Sequence, residues 1–145
     1  MNSQGFIKDI ERIDTSGMKR LSEIENKNVA LADGEYAICD LNDLLTLVEL
    51  TNNGKVSAGD KFIMVADIDV GEYCDEQLAN NNGGWTPIGD YATTSKSFTG
   101  TFNGNGHTIS NVKIDRATSD YQGLFGYVYI NGVIKNLKID QYYTF

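Results

Sequence analysis

The sequence predicts a mainly all-β fold: a short parallel β-helix with a capping α-helix and a helical N-terminal segment. Composition is the first reason. Fifteen Gly against one Pro imply many turns. Eight Tyr and six Phe, with many Val, Ile and Thr, favour strands. The second reason is an internal repeat. "HTISNVKID" (107–115) aligns with "GVIKNLKID" (132–140) at an offset of 25 residues, matching Ile109 with Ile134, Asn111 with Asn136 and Asp115 with Asp140. A period of that length points to a solenoid, in which like residues stack about 4.8 Å apart. On this register the aliphatic positions form inward ladders. Asn111 and Asn136 then stack at a corner, where Asn tolerates unusual dihedrals.

The chain divides at residue 33. In 1–33, Phe6, Ile7, Ile10 and Ile13 recur at helical spacing, as do Met18, Leu21 and Ile24, on either side of a break at "DTSG". This predicts two short amphipathic helices, or a linker, whose stripes pack on the same domain, dock another subunit or continue a longer chain. The remainder, 34–145, is the β domain. "GEYAI" (34–38) reads as a strand. In "DLNDLLTLVELTNNG", Asp40 is an N-cap, Asp43 adds negative charge to the first turn, and Asn52, Asn53 and Gly54 stop the helix. That predicts a helix over 41–51, covering the end of the β structure. "KFIMVADIDV" (61–70) reads as strand and "CDEQLANNNGG" as a loop. From 85 onward no helical period occurs.

The formal charge of −8 argues against nucleic acid, which needs clustered Lys and Arg. No run approaches the about 18 apolar residues of a spanning helix, and the start lacks the apolar core of a signal peptide. No membrane insertion is expected, and export needs a signal outside this sequence. Cys39 and Cys74 fit no metal pattern and no disulfide framework. Two separate thiols and a single disulfide both remain open.

"GWTPIG" (84–89), "FTGTFNGNGHTISNVKI" (98–114), and "GLFGYV" followed by "NGVIKNLKI" (123–139) resemble the GLUG-motif repeats of bacterial surface and adhesin proteins. "GLFG", at 123–126, matches the core of the motif. The resemblance covers about residues 34–140 and leaves 1–33 outside. It implies a right-handed parallel β-helix at the bacterial cell surface or outside the cell, accessory to any catalytic domain. Gly104, Gly106, Gly123, Gly126, Asn111 and Asn136 are then structural residues.

The chemistry-bearing residues are few. His107, the sole histidine, begins a strand and lacks a nucleophile motif such as G-x-S-x-G. Asp67, Asp69 and Glu72 are weak candidate ligands for Ca²⁺, since the full loop pattern is missing. Asp115 and Asp140 would stack as a carboxylate pair, but Lys113 and Lys138 beside them read as a solvated face. Tyr127, Tyr129, Tyr142 and Tyr143 suit sugar stacking, packing or an interface. No catalytic residue, cofactor or metal is therefore expected. The function expected is a non-catalytic surface or adhesin-type structural module of a larger extracellular protein. The alternatives are a self-assembling filament subunit, a glycan-binding module and a polysaccharide-active β-helix enzyme. Expected partners are neighbouring repeats or subunits, with surface glycans as a further class. Phe6, Ile10, Ile13, Tyr142, Tyr143 and Phe145 are the candidate interface.

Overall fold

The computed structural model of the chain describes residues 12–89, 94–116 and 123–144. Strand β1 (Glu35–Ile38) leads into helix α1 (Leu41–Asn52). Strands β2 (Lys61–Met64) and β3 (Ile68–Asp69) follow, then helix α2 (Gly71–Ala79). Six short strands complete the order: β4 (Thr101–Asn103), β5 (Thr108–Ser110), β6 (Lys113–Ile114), β7 (Val133–Lys135), β8 (Lys138–Asp140) and β9 (Tyr143–Thr144). They pair in three small sheets, β1-β2-β4-β7, β3-β5-β8 and β6-β9, and every pairing of named strands is parallel. Parallel partners cannot be joined by tight hairpins, so the chain visits the other sheets or a helix between strands of one sheet.

This corrects the expected fold class. The chain has mixed α and β content: helices of 12 and 9 residues, and strands of at most four residues in three small sheets. No β-helix or solenoid is evident among the described residues. Two local features lie behind the difference. Helix α2 occupies part of the stretch read as a loop. It buries only Gly71 and Cys74, so the sequence shows almost no apolar stripe there. The helical N-terminal segment is also absent from residues 12–33, where the helical structure is a 3₁₀ turn at Leu21–Glu23 and Arg20 bridges to Ala37 of β1. The stripe positions Phe6, Ile7 and Ile10 lie outside the described residues.

The register differs as well. Ile109 pairs with Ile139, and Ile134 with Phe102, so Ile109 does not stack on Ile134. The two aligned segments are successive strand–Asn–strand corners, β5–Asn111–β6 and β7–Asn136–β8. Both Asn residues are left-handed, with φ of 64° and 56°. Their likeness reports a shared corner conformation rather than a shared stacking position. Asn136 instead sits against the "GNG" corner, where Gly104 and Gly106 N–H groups donate to the carbonyls of Lys135 and Asn136 at 2.8 and 2.9 Å. The Asn111 corner meets the corner at Gln141, another left-handed residue (φ 56°), through a 3.0 Å bond from Asn111 N–H to the Asp140 carbonyl.

Inward-facing side chains from the stacked strands build the core. Phe62, Phe98, Phe102, Trp85, Ile88 and Ile109 are all fully buried. Phe125 of "GLFG" packs edge-on against Phe98 and Phe102, with centroids 5.1 and 5.4 Å apart. The buried Trp85 indole N–H donates to the Leu124 carbonyl at 3.1 Å, so its polar atom is satisfied.

Helix α1 forms where the sequence places it. Asp40 caps it, accepting from Asp43 N–H, and Gly54 follows its end with φ of 74°. Asp43 is fully buried and joins three segments. Its carboxylate accepts from Ser22 N–H (2.9 Å), Cys39 N–H (2.8 Å) and Arg20 Nε (3.1 Å). Burial pushes this carboxyl up, but the bonds from Ser22 and Cys39 and the Arg20 charge outweigh it and leave it below the ordinary carboxylate range. Asp60, also fully buried, accepts from Ser57 and Gly34 N–H, yet burial leaves its carboxyl raised.

Asp43→Ala leaves those three donors without their acceptor and should cost about 2–4 kcal/mol in urea unfolding. The lowered folded value sets the sign of the pH dependence. The difference between wild type and variant should be full above about pH 4, the unfolded carboxylate value, and should shrink as pH falls through Asp43's lower folded value. Asp60 acts with the opposite sign but is common to both proteins and cancels.

Candidate functional site

The polar side chains named by the sequence gather around two corners. At the first, His107 lies between Asp67 and Arg12. Its Nδ1 is 3.3 Å from Asp67 Oδ1, and its Nε2 is 3.4 Å from Arg12 Nη1. A guanidinium only donates, so Nε2 is the acceptor and Nδ1–H the donor to Asp67. Asp67 also accepts from Thr108 N–H at 2.9 Å. That bond first, with help from His107, holds its carboxyl below the usual range. The cluster ties residue 12 and the loop after β2 to the start of β5.

At the second corner, Asp69 Oδ1 accepts from Gly71 N–H (2.8 Å) and from the Asn111 amide (3.0 Å). The Asn111 bond leads in lowering its carboxyl. Asp69, Glu72 and Glu76 line an open cleft of about 390 Å³ with Leu41 and Tyr73. Asp67 is not among the residues that line it. The three weak Ca²⁺ candidates are thus divided between two corners. Among the described residues, no group of three or more His, Cys, Asp or Glu is placed to hold a metal ion.

The remaining candidates are dispersed. Asp140 pairs with Ser110, and Asp115 bonds through its N–H to the Gly83 carbonyl, so the register does not stack these two acids. Lys113 forms a 2.7 Å ion pair with Asp75 and lies over the Tyr143 ring at 5.6 Å. Cys39 and Cys74 are free thiols, and burial raises both, which disfavours the reactive thiolate. The rings of Tyr127 and Tyr129 are 6.0 Å apart and tilted by 31°. Tyr142 and Tyr143 are exposed at the edge formed by β7, β8 and β9.

Of the structural residues, Gly106 is left-handed at φ 81°. Gly104 allows close approach, since a Cβ there would meet Asn136 O and the Leu137 backbone at 2.6 Å. Gly123 has φ of 153°, and Gly126 N–H donates to the Ile88 carbonyl. Of the candidate interface, Phe6, Ile10 and Phe145 lie outside the described residues. Ile13 is half-exposed, and its backbone is clasped at both ends by the Asn105 amide: N–H to Oδ1 at 2.8 Å and Nδ2 to C=O at 3.3 Å. Sequence reasoning missed this clasp and the buried roles of Asp43 and Asp60. The single legible signal was Asn105 between two glycines, which marks a turn but not what the amide binds.

No family model matches the chain, and no solved structure matches it. Two curated proteins are similar. Halomucin of Haloquadratum walsbyi is 42% identical over 108 residues, 74% of this chain. A protein of Evansella cellulosilytica, provisionally named as a Gly-rich membrane protein, is 41% identical over 81 residues, 56% of this chain. The matched stretches span only 1% and 9% of those two proteins. Among the described residues, no helix is long and apolar enough to cross a membrane.

The left-handed corner at Asn111 gives a direct test. Its Cβ also packs close to Gly71. Asn111→Val places a β-branched residue at positive φ and should cost about 2–3 kcal/mol. Asn111→Gly keeps the backbone and should stay within about 1 kcal/mol of wild type, because the bond it loses is exposed. Thermal or urea unfolding of the pair measures both.

Proposed function

We propose that this chain is a non-catalytic structural module of a larger protein that is surface-exposed or membrane-associated, of the adhesin type. The observation that carries the reading is the similarity to Halomucin. A stretch 42% identical over 108 residues makes up 1% of that protein, as expected of one module within a long architecture. The Evansella match, 9% of a protein named for a membrane, supports the same placement. The resemblance of 34–140 to GLUG-motif repeats agrees with it.

The side-chain chemistry supports the non-catalytic part. His107, Asp67, Asp69 and Asn111 hold turns and strands to one another. Their hydrogen bonds tie neighbouring corners and strands together, the use a scaffold makes of polar side chains. The net charge of −8 favours a solvated, repulsive surface.

Antibodies raised against the folded chain test the placement on cells that make the parent protein. Labelling of intact, non-permeabilised cells is expected, together with loss of the signal after external protease. Labelling that appears only after permeabilisation contradicts the proposal.

A further inference from the structure

The outward face of the β1-β2-β4-β7 sheet carries a groove of about 220 Å³. Parallel pairing sets two outward rows across this face. One is Glu35, Lys61, Thr101 and Val133, and the other is Ala37, Ile63, Asn103 and Lys135. Ile13 is held beside the face by the Asn105 clasp and, with the buried Ile63, gives the groove an apolar side. Strands add to a sheet in its own plane, so a further strand beside β7 would widen this face without covering the groove.

Asn103 forms part of the lining and is 3% exposed. Its Oδ1 accepts from Asn105 N–H at 2.8 Å and from the Asn136 amide at 3.2 Å. Its Nδ2 has no hydrogen-bond partner among the described residues. That atom is not sealed from solvent, and the groove is where it emerges. Nearly all buried donors in proteins are bonded, so this amide is a donor set in place for an acceptor from outside the chain. Two lysines flank it. Lys135 is its neighbour on β7 and forms no ion pair among the described residues. Lys61, on β2, meets Glu35 at 3.9 Å. Strands β2 and β7 lie two strand spacings apart, about 10 Å. Both flexible lysine stems can therefore bring their charge over Thr101 and Asn103 between them. In a chain of net charge −8, this groove is locally positive.

We propose that this groove binds an acidic sugar, a single hexuronate unit, with its carboxylate over Asn103. The carboxylate accepts from Asn103 Nδ2 and from the Lys135 ammonium, and bonds of this charge-assisted kind are the strong ones. The far end of the groove holds the opposite chemistry. Glu35 can accept from a sugar hydroxyl, and the Thr101 hydroxyl can donate or accept. Glu35 would repel a carboxylate placed beside it, which sets the direction of the ligand. Ile13 and Ile63 suit the apolar face of the ring. The volume lies below the roughly 300–1,000 Å³ of sites for drug-sized ligands, so one sugar unit fits. The proposal goes beyond the structural role and does not rest on where the parent protein is placed.

Titration of the 145-residue chain with methyl glucuronide, followed through the backbone amide signals by NMR, tests this. Saturating shifts are expected at 61–63, 101–103 and 135. The neutral methyl glucoside should bind about tenfold more weakly or worse, the worth of one charged hydrogen bond. Asn103→Asp keeps the Oδ1 acceptor and turns Nδ2 into an anionic oxygen, so binding should be lost. Lys135→Gln, at an exposed position, should weaken binding about tenfold. Lys138→Gln, outside the groove, should leave it unchanged. Circular dichroism establishes that each variant is folded, and Lys135→Gln carries the test if Asn103→Asp does not fold. Absence of saturation at tens of millimolar glucuronide, or unchanged binding in Lys135→Gln, overturns the proposal. So does a glucoside, acetate or sulfate that binds as tightly as the glucuronide.

Discussion

Stacking of inward apolar residues across parallel strands is the constraint on which the rest depends. Phe62, Phe102 and Ile134 form one row, and Ile68, Ile109 and Ile139 another. Strands of two to four residues have little independent stability. β1 to β6 persist because each buries apolar side chains in the same interior, at about 25 cal/mol per Å² of apolar surface removed from water. A one-residue slip would send every inward side chain outward, so the register of these rows is tightly fixed. Phe98, Phe125 and Trp85 fill the space between the rows, and the "GLFG" segment contributes through Phe125 and the Leu124 carbonyl.

Polar groups then decide where the strands turn and where the structure closes. Asn105, Asn111, Asn136 and Gln141 adopt left-handed conformations at the corners. That conformation is cheapest for Gly and tolerated by Asn, while Gln141 sits there at greater cost. Asp43 and Asp60 are buried carboxylates whose oxygens face backbone N–H groups. They gather the segments around β1 and α1, where short strands leave donors unpaired. The His107–Asp67–Arg12 cluster acts in the same way at the partly exposed rim.

Local conformation was legible in the sequence while the fold class was not, and the failures have physical causes. The helix over 41–51 was readable from its cap, its apolar content and its Asn–Gly stop, because all three are local signals. The left-handed Asn corners were readable for the same reason. Their partners were not. The 25-residue match compares one strand–Asn–strand corner with the next, and similar conformations yield similar sequences wherever they stack. Helix α2 escaped because its buried face is small and its end is rich in Asn. The division of Asp67 from Asp69 escaped because residues two apart in sequence can serve different corners. Asp43 looked like a first-turn acid, and nothing in the chain marks it as buried between three segments.

The central claim is that Ile109 stacks on Ile139 and Phe102 on Ile134, in parallel. Isotope-labelled NMR measures this most directly, through cross-strand nuclear Overhauser contacts among the backbone protons of 101–103, 108–110, 133–135 and 138–140. The account predicts contacts joining 108–110 with 138–140, and 101–103 with 133–135, in the parallel pattern. Contacts joining 108–110 with 133–135, or an antiparallel pattern between any of these strands, would contradict it.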